Sequence, residues 1–259
     1  YPLWIFPEKK LSLKEVMGLV RDHYEGTELD MTTGIEAGPF GSPQRWRPLS
    51  WEEEGKSYAW ERPISTYNTC FSFIAQARAP LPNDLGGVCW FGFDDTYFTV
   101  YLPLYMGINE TPESYRKGDI RQYDPSAMWW AMNFVSNYAH LKYSYMIKDI
   151  QEIQNRLEDQ MIAEQDSIGM WYSNKMLEDK NAILQNYVNT RAELILKEWN
   201  QLGYQLIAKY NDGYIKPDSG GVLTPGYPEE WKNEMIRQQP EKHLIPDWNK
   251  EGRQEVNPF

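Results

Sequence analysis

The apolar residues in the second half of the chain constrain its fold more than any other feature. Between residues 146 and 161 they recur at spacings of four, three, four and four, with charged residues on the other faces, as in an amphipathic helix. A second helical series runs from residue 184 to residue 206. The two series are Met146, Ile150, Ile153, Leu157 and Met161, then Leu184, Val188, Ile195, Trp199, Leu202 and Leu206. They predict two antiparallel helices that pack on a sheet, with a break at Gly169 between them.

The first half of the chain has the pattern of strands instead. Residues 70–77, 86–93 and 97–104 are rich in aromatic and β-branched side chains, and the first run alternates with period two. The acids and threonine at 94–96 indicate a tight turn between the second and third runs. Before these runs, residues 51–56 have the composition of a turn. Three successive antiparallel strands predict a β-meander.

The order of these elements predicts an α+β fold with antiparallel sheets and flanking helices. The strand meander is expected over about 68–107 and the helical layer over about 126–210, with Ser126 as the cap of its first helix. An extended tail is expected over 216–259, with a short helix near 227–236.

A long irregular stretch, residues 21–48, concentrates polar chemistry in the first half of the chain. The helix before it begins with a capping box at residues 12–15 and is expected to end at Gly26, which places His23 and Glu25 on its last turn. Acids are poorly placed against the negative end of a helix dipole, which favours a specific partner for them. Structureless loops of this length are uncommon inside compact domains and are usually functional or disordered, and the aromatic content here favours an ordered one.

Composition narrows the classes of function. The formal net charge of −11 disfavours nucleic acid as a partner, because phosphate binding needs clustered Lys and Arg. No apolar run approaches the ~20 residues that a membrane-spanning helix needs, so no membrane partner is expected. The three histidines are far apart, and the sequence contains no HExxH, CxxC or phosphate-binding glycine loop. We therefore expect neither a metal site nor a cofactor.

The two cysteines and a pair of adjacent acids have structural explanations. Cys70 and Cys89 lie in predicted strands, away from a helix N-terminus that would lower a thiol pKa, so both are expected to be buried and unreactive. Asp94 and Asp95 are neighbours at a strand end, where successive side chains point to opposite faces. The carboxyl groups of a retaining glycosidase lie about 5 Å apart across the scissile bond, so a turn explains these acids better.

Several segments, taken in order, resemble a known family. They are RDHYEGT (21–27), LDMT (29–32), AGPFGSPQRWRP (37–48), FSFIAQAR (71–78), LPNDLGGVCWFGFDDTYFTVYLPLYMGI (81–108), MWWAMNFVSNYAHLKYSYM (128–146) and KYNDGYI (209–215). Together these segments resemble the C-terminal part of the dipeptidases of peptidase family C69. The resemblance covers most of the chain and is far more specific than any short motif.

The resemblance implies an N-terminal-nucleophile hydrolase of dipeptides with a four-layer αββα architecture. In such enzymes the mature chain begins with the catalytic cysteine, whose own α-amino group is the base for its thiol. This chain begins with Tyr1. The resemblance therefore implies that no catalytic residue lies here and that the missing N-terminal part is a partner, and Asn68 and Thr69 are the candidate oxyanion donors. A homo-oligomer is also expected, and the compartment stays open between bacterial cytoplasm and periplasm.

A dipeptide substrate offers a free ammonium group and a free carboxylate. Asp and Glu suit the first, and the bidentate fork of arginine suits the second. The candidates for the ammonium group are Glu25 and Asp30, beside His23, and those for the carboxylate are Arg45, Arg47, Arg62 and Arg78.

An alternative interpretation is a non-catalytic module that binds peptides or glycans. Eleven Trp and eighteen Tyr are many for 259 residues, and such side chains stack on ligands as readily as they pack. The order and extent of the family segments favour the peptidase.

Overall fold

The computed structural model describes residues 3–173 and 177–245, with the side chains of 177–179 left out, and has an α+β arrangement. The α-helices are α1 (Leu13–Leu19), α2 (Asn83–Gly86), α3 (Met128–Ala139), α4 (Tyr143–Ser173), α5 (Leu177–Tyr210) and α6 (Glu229–Gln238). The strands are β1 (Ser50–Glu53), β2 (Lys56–Ala59), β3 (Phe71–Ala77), β4 (Gly87–Phe93) and β5 (Leu102–Tyr105). The predicted tail contains α6, and its last part, 246–259, lies outside the described residues.

Strands β3, β4 and β5 form an antiparallel sheet in that order, which confirms the α+β prediction with flanking helices. Phe71 pairs with Phe93 and Ala77 with Gly87 across β3 and β4. The four-layer αββα architecture stays a prediction, because the described strands form this sheet and a separate two-stranded hairpin.

The third predicted strand, 97–104, is mostly wrong. Only Leu102–Tyr105 pairs with β4. The backbone before it turns at Asp95, whose carbonyl accepts from the N–H of Phe98. The carbonyls of Tyr97 and Thr99 then accept from the Gln154 side chain of α4, at 3.0 and 2.7 Å, instead of from a neighbouring strand. Side-chain partners thus replace a sheet ladder over this buried segment.

The two long helices confirm the helical pattern and its antiparallel packing. Ion pairs join Asp149 to Lys209 and Glu164 to Arg191, so the start of α4 meets the end of α5. The predicted apolar residues of α5 are all 2% exposed or less, and those of α4 are buried except the half-buried Ile153. Both helices pack on β5. Together with the inner face of the sheet they enclose the main core.

Two predicted helix boundaries are wrong. Gly169 does not break a helix: α4 continues through it to Ser173, with Gly169 beside Leu85. Ser126 does not cap α3, because its hydroxyl donates to Asp124 at 2.6 Å and the cap position belongs to Ala127.

The first helix begins as predicted and ends earlier. The Ser12–Glu15 capping box is present, and the helix ends at Leu19 instead of Gly26. His23 and Glu25 therefore lie beyond the helix, in a turn. Leaving the helix at this point lets the Arg21 side chain enter the core.

A hairpin of β1 and β2 surrounds the predicted turn at 51–56. Glu54 and Gly55 both have positive φ, at 49° and 73°, as the two-residue turn of a twisted hairpin requires. Trp51 stacks on Tyr58 across the strands, with ring centroids 5.8 Å apart. All strand residues of the hairpin are exposed, which explains why its composition predicts a turn and not strands.

The outer face of the three-stranded sheet is apolar and open among the described residues. Phe71 and Phe73 are 55% and 58% exposed, and Phe91 and Phe93 are half-buried beside them. Phe71 stacks on Phe91 at 5.7 Å, and the Tyr115 ring lies 5.3 Å from that of Phe93. We call these four side chains the phenylalanine face.

The prediction that both cysteines are buried in strands is wrong. Cys70 is exposed and precedes β3. Cys89 lies in β4 and is half-buried, and burial raises the pKa of its thiol. No described helix has the length and apolar composition needed to cross a bilayer.

A buried ion pair ties these layers together. The guanidinium of Arg21 donates to the carboxylate of Glu158 on α4, and Glu158 is 0% exposed. The same guanidinium donates to the carbonyls of Thr96 and Thr99, at 3.0 Å each. Glu158 also accepts from the backbone N–H of Tyr101 at 3.1 Å. One ion pair therefore joins the residue after α1, the 96–101 segment and the centre of α4.

We expect Glu158→Gln to lower the free energy of unfolding by about 3–5 kcal/mol, because it leaves the Arg21 charge buried without its counterion. Urea titration of both proteins measures the loss. Glu198→Gln is the matched control, since Glu198 pairs on the surface with Arg156 and its loss is expected to cost below about 1 kcal/mol. Equal losses in the two variants would show that the buried pair has no special role.

Candidate functional site

A cleft of about 440 Å³ lies where the irregular 21–48 stretch meets the β1–β2 hairpin. The segment 59–68 forms another wall, and the turn after β4 and the end of α3 contribute Asp95 and His140. Five predicted site residues line this cleft: His23, Arg45, Arg47, Arg62 and Asn68.

His23 lies at the floor of the cleft and is 2% exposed. A tight turn holds it there: Asp22 accepts from the N–H of Tyr24 at 2.7 Å, and Tyr24 has a φ of 65°. The imidazole packs on Tyr97, with centroids 4.5 Å apart, and its Nδ1 lies 3.2 Å from Glu25 Oε1. The ring is therefore fixed in position by Tyr97 and Glu25.

Glu25 and Asp30, the predicted partners of an ammonium group, do not line the cleft. Glu25 accepts from the backbone N–H of His23 at 2.8 Å. Burial opposes its ionisation, but the hydrogen bonds from His23 outweigh burial and lower its pKa to about 2. Asp30 accepts from the backbone N–H groups of Gly26 and Thr32, at 2.9 and 2.8 Å. Both carboxylates hold the local backbone, as Asp and Glu often do in turns.

Arg45 is 4% exposed and forms part of the cleft wall. It donates to the carbonyls of Ser42 and Met31, and its guanidinium lies 5.7 Å from the Trp60 ring centroid. Burial lowers its pKa, against the opposing charge of Glu61, whose Oε2 lies 3.8 Å from Arg45 Nε. These contacts hold Arg45 as a support of the wall.

The other arginines divide between the rim of the cleft and a different part of the fold. Arg47 and Arg62 are exposed at the rim, and neither guanidinium forms a hydrogen bond or ion pair with any described residue. Arg78 does not line this cleft. It donates instead to Gln165 on α4 and to the carbonyl of Leu85. The rim therefore carries two free positive charges.

Asp95 is the carboxylate that the structure places in the cleft, and the sequence interpretation missed it. It is 1% exposed, and its Oδ1 accepts from Ser65 Oγ at 2.7 Å and from the N–H of Tyr97 at 3.1 Å. Burial raises its pKa, although the Ser65 hydroxyl and the nearby His23 act in the opposite direction. The two adjacent acids are visible in the sequence, but their pattern by itself predicts only a turn.

Asp94 points away from the cleft. Its Oδ1 accepts from the Asn133 side chain of α3 at 2.9 Å, and its φ of 66° lets the chain turn here. Burial raises its pKa to about 7, with the Asp95 charge acting in the same direction and the hydrogen bond from Asn133 against it. The two adjacent acids thus occupy different environments.

His140 closes one side of the cleft at the end of α3. Its Nδ1 lies 2.9 Å from Ser42 Oγ, and its Nε2 is buried without a hydrogen-bond partner among the described residues. Burial lowers its pKa to about 4, so the ring is neutral at pH 7. No three His, Cys, Asp or Glu side chains converge as metal ligands within the part of the chain that the structure describes.

The predicted oxyanion donors lie at different places. Asn68 is exposed on the rim of the cleft. Thr69 does not line it, and its backbone N–H and hydroxyl both contact Thr66. Neither cysteine lines the cleft.

Comparison with known proteins identifies the family. The family model of peptidase family C69 matches residues 1–156, more than half of the chain. The chain belongs to peptidase family C69. All residues that line the cleft of this C69 chain, from His23 to His140, lie within the matched range.

Curated relatives of the C69 chain carry dipeptidase names. A "Probable dipeptidase B" of Streptococcus pyogenes serotype M1 is 29% identical over 184 residues, which are 70% of this chain and 35% of that protein. Another of that name, from Lactococcus lactis subsp. lactis strain IL1403, is 33% identical over 124 residues, 47% of this chain and 22% of its own length. A "Probable dipeptidase" of Salmonella dublin is 31% identical over 120 residues, 46% of this chain and 23% of its own. The C69 chain thus spans about a third of these relatives or less.

The raised pKa of Asp94 predicts a pH dependence of stability. The folded protein binds this proton more tightly than the unfolded chain, whose Asp titrates near 4, so the carboxyl destabilises the fold progressively as pH rises through about 7. We compare the free energy of unfolding of Asp94→Asn with that of the wild type at each pH. When the pH is raised from 5 to 8, we expect this difference to move in favour of the variant by about 1 kcal/mol or more.

Urea titrations at the two pH values measure this gain. Asp119→Asn is the control, because Asp119 is exposed and its hydrogen bonds from Arg121 lower its pKa, so it stays ionised over this range. A difference between Asp94→Asn and the wild type that is the same at both pH values would contradict the prediction.

Proposed function

We propose that this chain is part of an enzyme that hydrolyses dipeptides. The match to peptidase family C69 over residues 1–156 carries this proposal, and the dipeptidase names of the relatives support it. The cleft supplies a matching site, because it combines a buried carboxylate with exposed arginines in a space suited to a small ligand. His23, Arg45 and Arg62 belong to the substrate-binding surface in this proposal.

The proposed nucleophile is a cysteine outside the described residues, with its own α-amino group as base. An α-amino group with a pKa near 8 accepts a proton at neutral pH, which activates the thiol for attack on the peptide carbonyl. The two cysteines of this chain are poor candidates, because neither lines the cleft and burial raises the pKa of Cys89. Asn68, on the rim, is the candidate oxyanion donor that remains near the cleft.

The test uses the complete protein from which this chain derives. We expect it to release free alanine from Ala-Ala and to lose this activity on treatment with iodoacetamide. A Cys70→Ser, Cys89→Ala double variant should keep the activity and should still be inactivated, because the nucleophile is a third cysteine. Amino-acid release measured by chromatography follows both reactions.

Two results would contradict this proposal. A folded double variant without activity would place the nucleophile in this chain. A complete protein that binds Ala-Ala without cleaving it would favour the binding-module alternative instead.

We further propose that the phenylalanine face is covered by another part of the complete protein. Phe71 and Phe73 would each expose more than half of their surface otherwise, on a sheet face where contiguous apolar area favours association. The relatives are about three times as long as the matched segment, so the chain to cover it is available. A second copy of this chain is the alternative cover when the chain is expressed by itself.

Phe73→Ser distinguishes a covered face from an open one. In the 259-residue chain we expect a change in the free energy of unfolding below about 0.5 kcal/mol, as for other surface sites. In the complete protein we expect a loss of about 3 kcal/mol, as for a buried phenylalanine. Tyr204→Ser is the control, since Tyr204 is 56% exposed on α5, and similar small losses for both residues in both proteins would refute the proposed cover.

A further inference from the structure

We infer that the cleft binds a short peptide with its amino end inward, against Asp95, and its carboxylate outward, against Arg47 and Arg62. This inference rests on the proposed function for the class of ligand and adds the polarity of binding and a new specificity residue, Asp95. It replaces Glu25 and Asp30, the acids that the sequence indicated.

The carboxyl group at the floor of the cleft, that of Asp95, has no cationic partner among the described residues. Asp95 is 1% exposed, and its hydrogen bonds from Ser65 Oγ and the Tyr97 N–H both reach Oδ1 and come from neutral donors. No Lys or Arg of the described residues forms an ion pair with it. Burial raises its pKa, as expected where a negative charge lacks full compensation. An ammonium group would supply that compensation.

The other acids near the cleft are already engaged. Glu25 holds His23 and its backbone, and Asp30 holds a turn outside the cleft. Glu61 lines the cleft, but its Oε2 faces the Nε of Arg45 at 3.8 Å. Among the described residues, Asp95 is therefore the carboxylate in the cleft without a cationic partner.

The rim of the cleft carries basic side chains instead of an acid. Arg47 and Arg62 are exposed, line the cleft and have no ion pair with any described residue, so their guanidinium groups are available to an anion. Arginine binds carboxylates through two parallel hydrogen bonds, which suits the free carboxyl end of a peptide. The cleft thus has an acid at its floor and two arginines at its rim, and a zwitterionic peptide matches this arrangement in one direction only.

The cleft also contains an unsatisfied polar atom for the middle of such a ligand. His140 Nε2 is buried without a hydrogen-bond partner in the described structure, and His140 lines the cleft. Buried polar atoms in native proteins are almost always paired, so this ring nitrogen is available to a polar group of the ligand. The volume of about 440 Å³ suits a dipeptide or tripeptide.

A metal ion fits this site poorly. The described residues contain no convergent group of three His, Cys, Asp or Glu side chains, and a hard cation needs more oxygen ligands than one carboxylate supplies. An ammonium group needs fewer partners, and Asp95 with a neighbouring hydroxyl can provide them.

Calorimetric titration of the 259-residue chain tests the polarity with three probes: Ala-Ala, N-acetyl-Ala-Ala and Ala-Ala-amide. We expect the wild type to bind Ala-Ala at least about 10-fold more tightly than either blocked peptide, because each block removes one charge pair. Asp95→Asn should lose the preference for the free amino group and keep the preference for the free carboxylate. The double variant Arg47→Gln, Arg62→Gln should show the reverse.

Matched controls separate these effects from general damage. Asp94→Asn changes the adjacent buried acid, which faces α3 and not the cleft, and should keep both preferences. Arg121→Gln changes an exposed arginine outside the cleft and should do the same. Because Asp95→Asn could unfold the chain, NMR of the wild type gives a second measurement: the Tyr97 amide, which donates to Asp95, should shift with Ala-Ala and not with N-acetyl-Ala-Ala.

The inference is overturned if the wild type shows no preference for the free amino group, or if Asp95→Asn removes the carboxylate preference instead. It is also overturned if the Tyr97 amide responds equally to both peptides. Failure of the proposed function is a separate result: the Asp95-dependent preference would stand while the complete protein cleaves no peptide. Conversely, cleavage of Ala-Ala with a KM unchanged by Asp95→Asn would retain the function and refute the role of Asp95.

Discussion

The buried pair of Arg21 and Glu158 is the interaction on which the rest of the structure depends. It connects the segment after α1 to the centre of α4. The Arg21 guanidinium also donates to the backbone carbonyls of Thr96 and Thr99. A charge pair buried to this degree is expensive to remove from water and is tolerated only when its hydrogen bonds are complete. Here the N–H of Tyr101 and Lys14 complete the shell around Glu158.

The candidate site is a consequence of that pair. Arg21 precedes His23 by two residues, and Thr96 follows Asp95 by one, so fixing Arg21 and Thr96 also fixes the floor of the cleft. The turn at 94–96 then separates two adjacent acids. Asp94 meets α3, while Asp95 meets Ser65 and the cleft. A mobile floor could not hold a buried carboxylate at a defined distance from its ligand.

The molecule has two surfaces that its own described residues leave incomplete, and they differ in chemistry. The cleft is polar, with Asp95 at its floor and Arg47 and Arg62 at its rim. The phenylalanine face is apolar and open among the described residues. We propose a peptide as the ligand of the first surface and another part of the complete protein as the cover of the second, and both proposals draw on family C69 membership and the greater length of the relatives.

The sequence by itself determined the α+β class, the helical faces of α4 and α5 and the capping box at Ser12, because periodicity and capping are local properties. It could not determine that 97–101 is no strand, because the side chains of Gln154 and Arg21 that satisfy those carbonyls lie far away in the sequence. The same reason applies to the site. Glu25 and Asp30 lie in the polar stretch, but they accept hydrogen bonds from nearby backbone N–H groups. Asp95 lines the cleft only once the sheet, the helices and the buried ion pair have assembled.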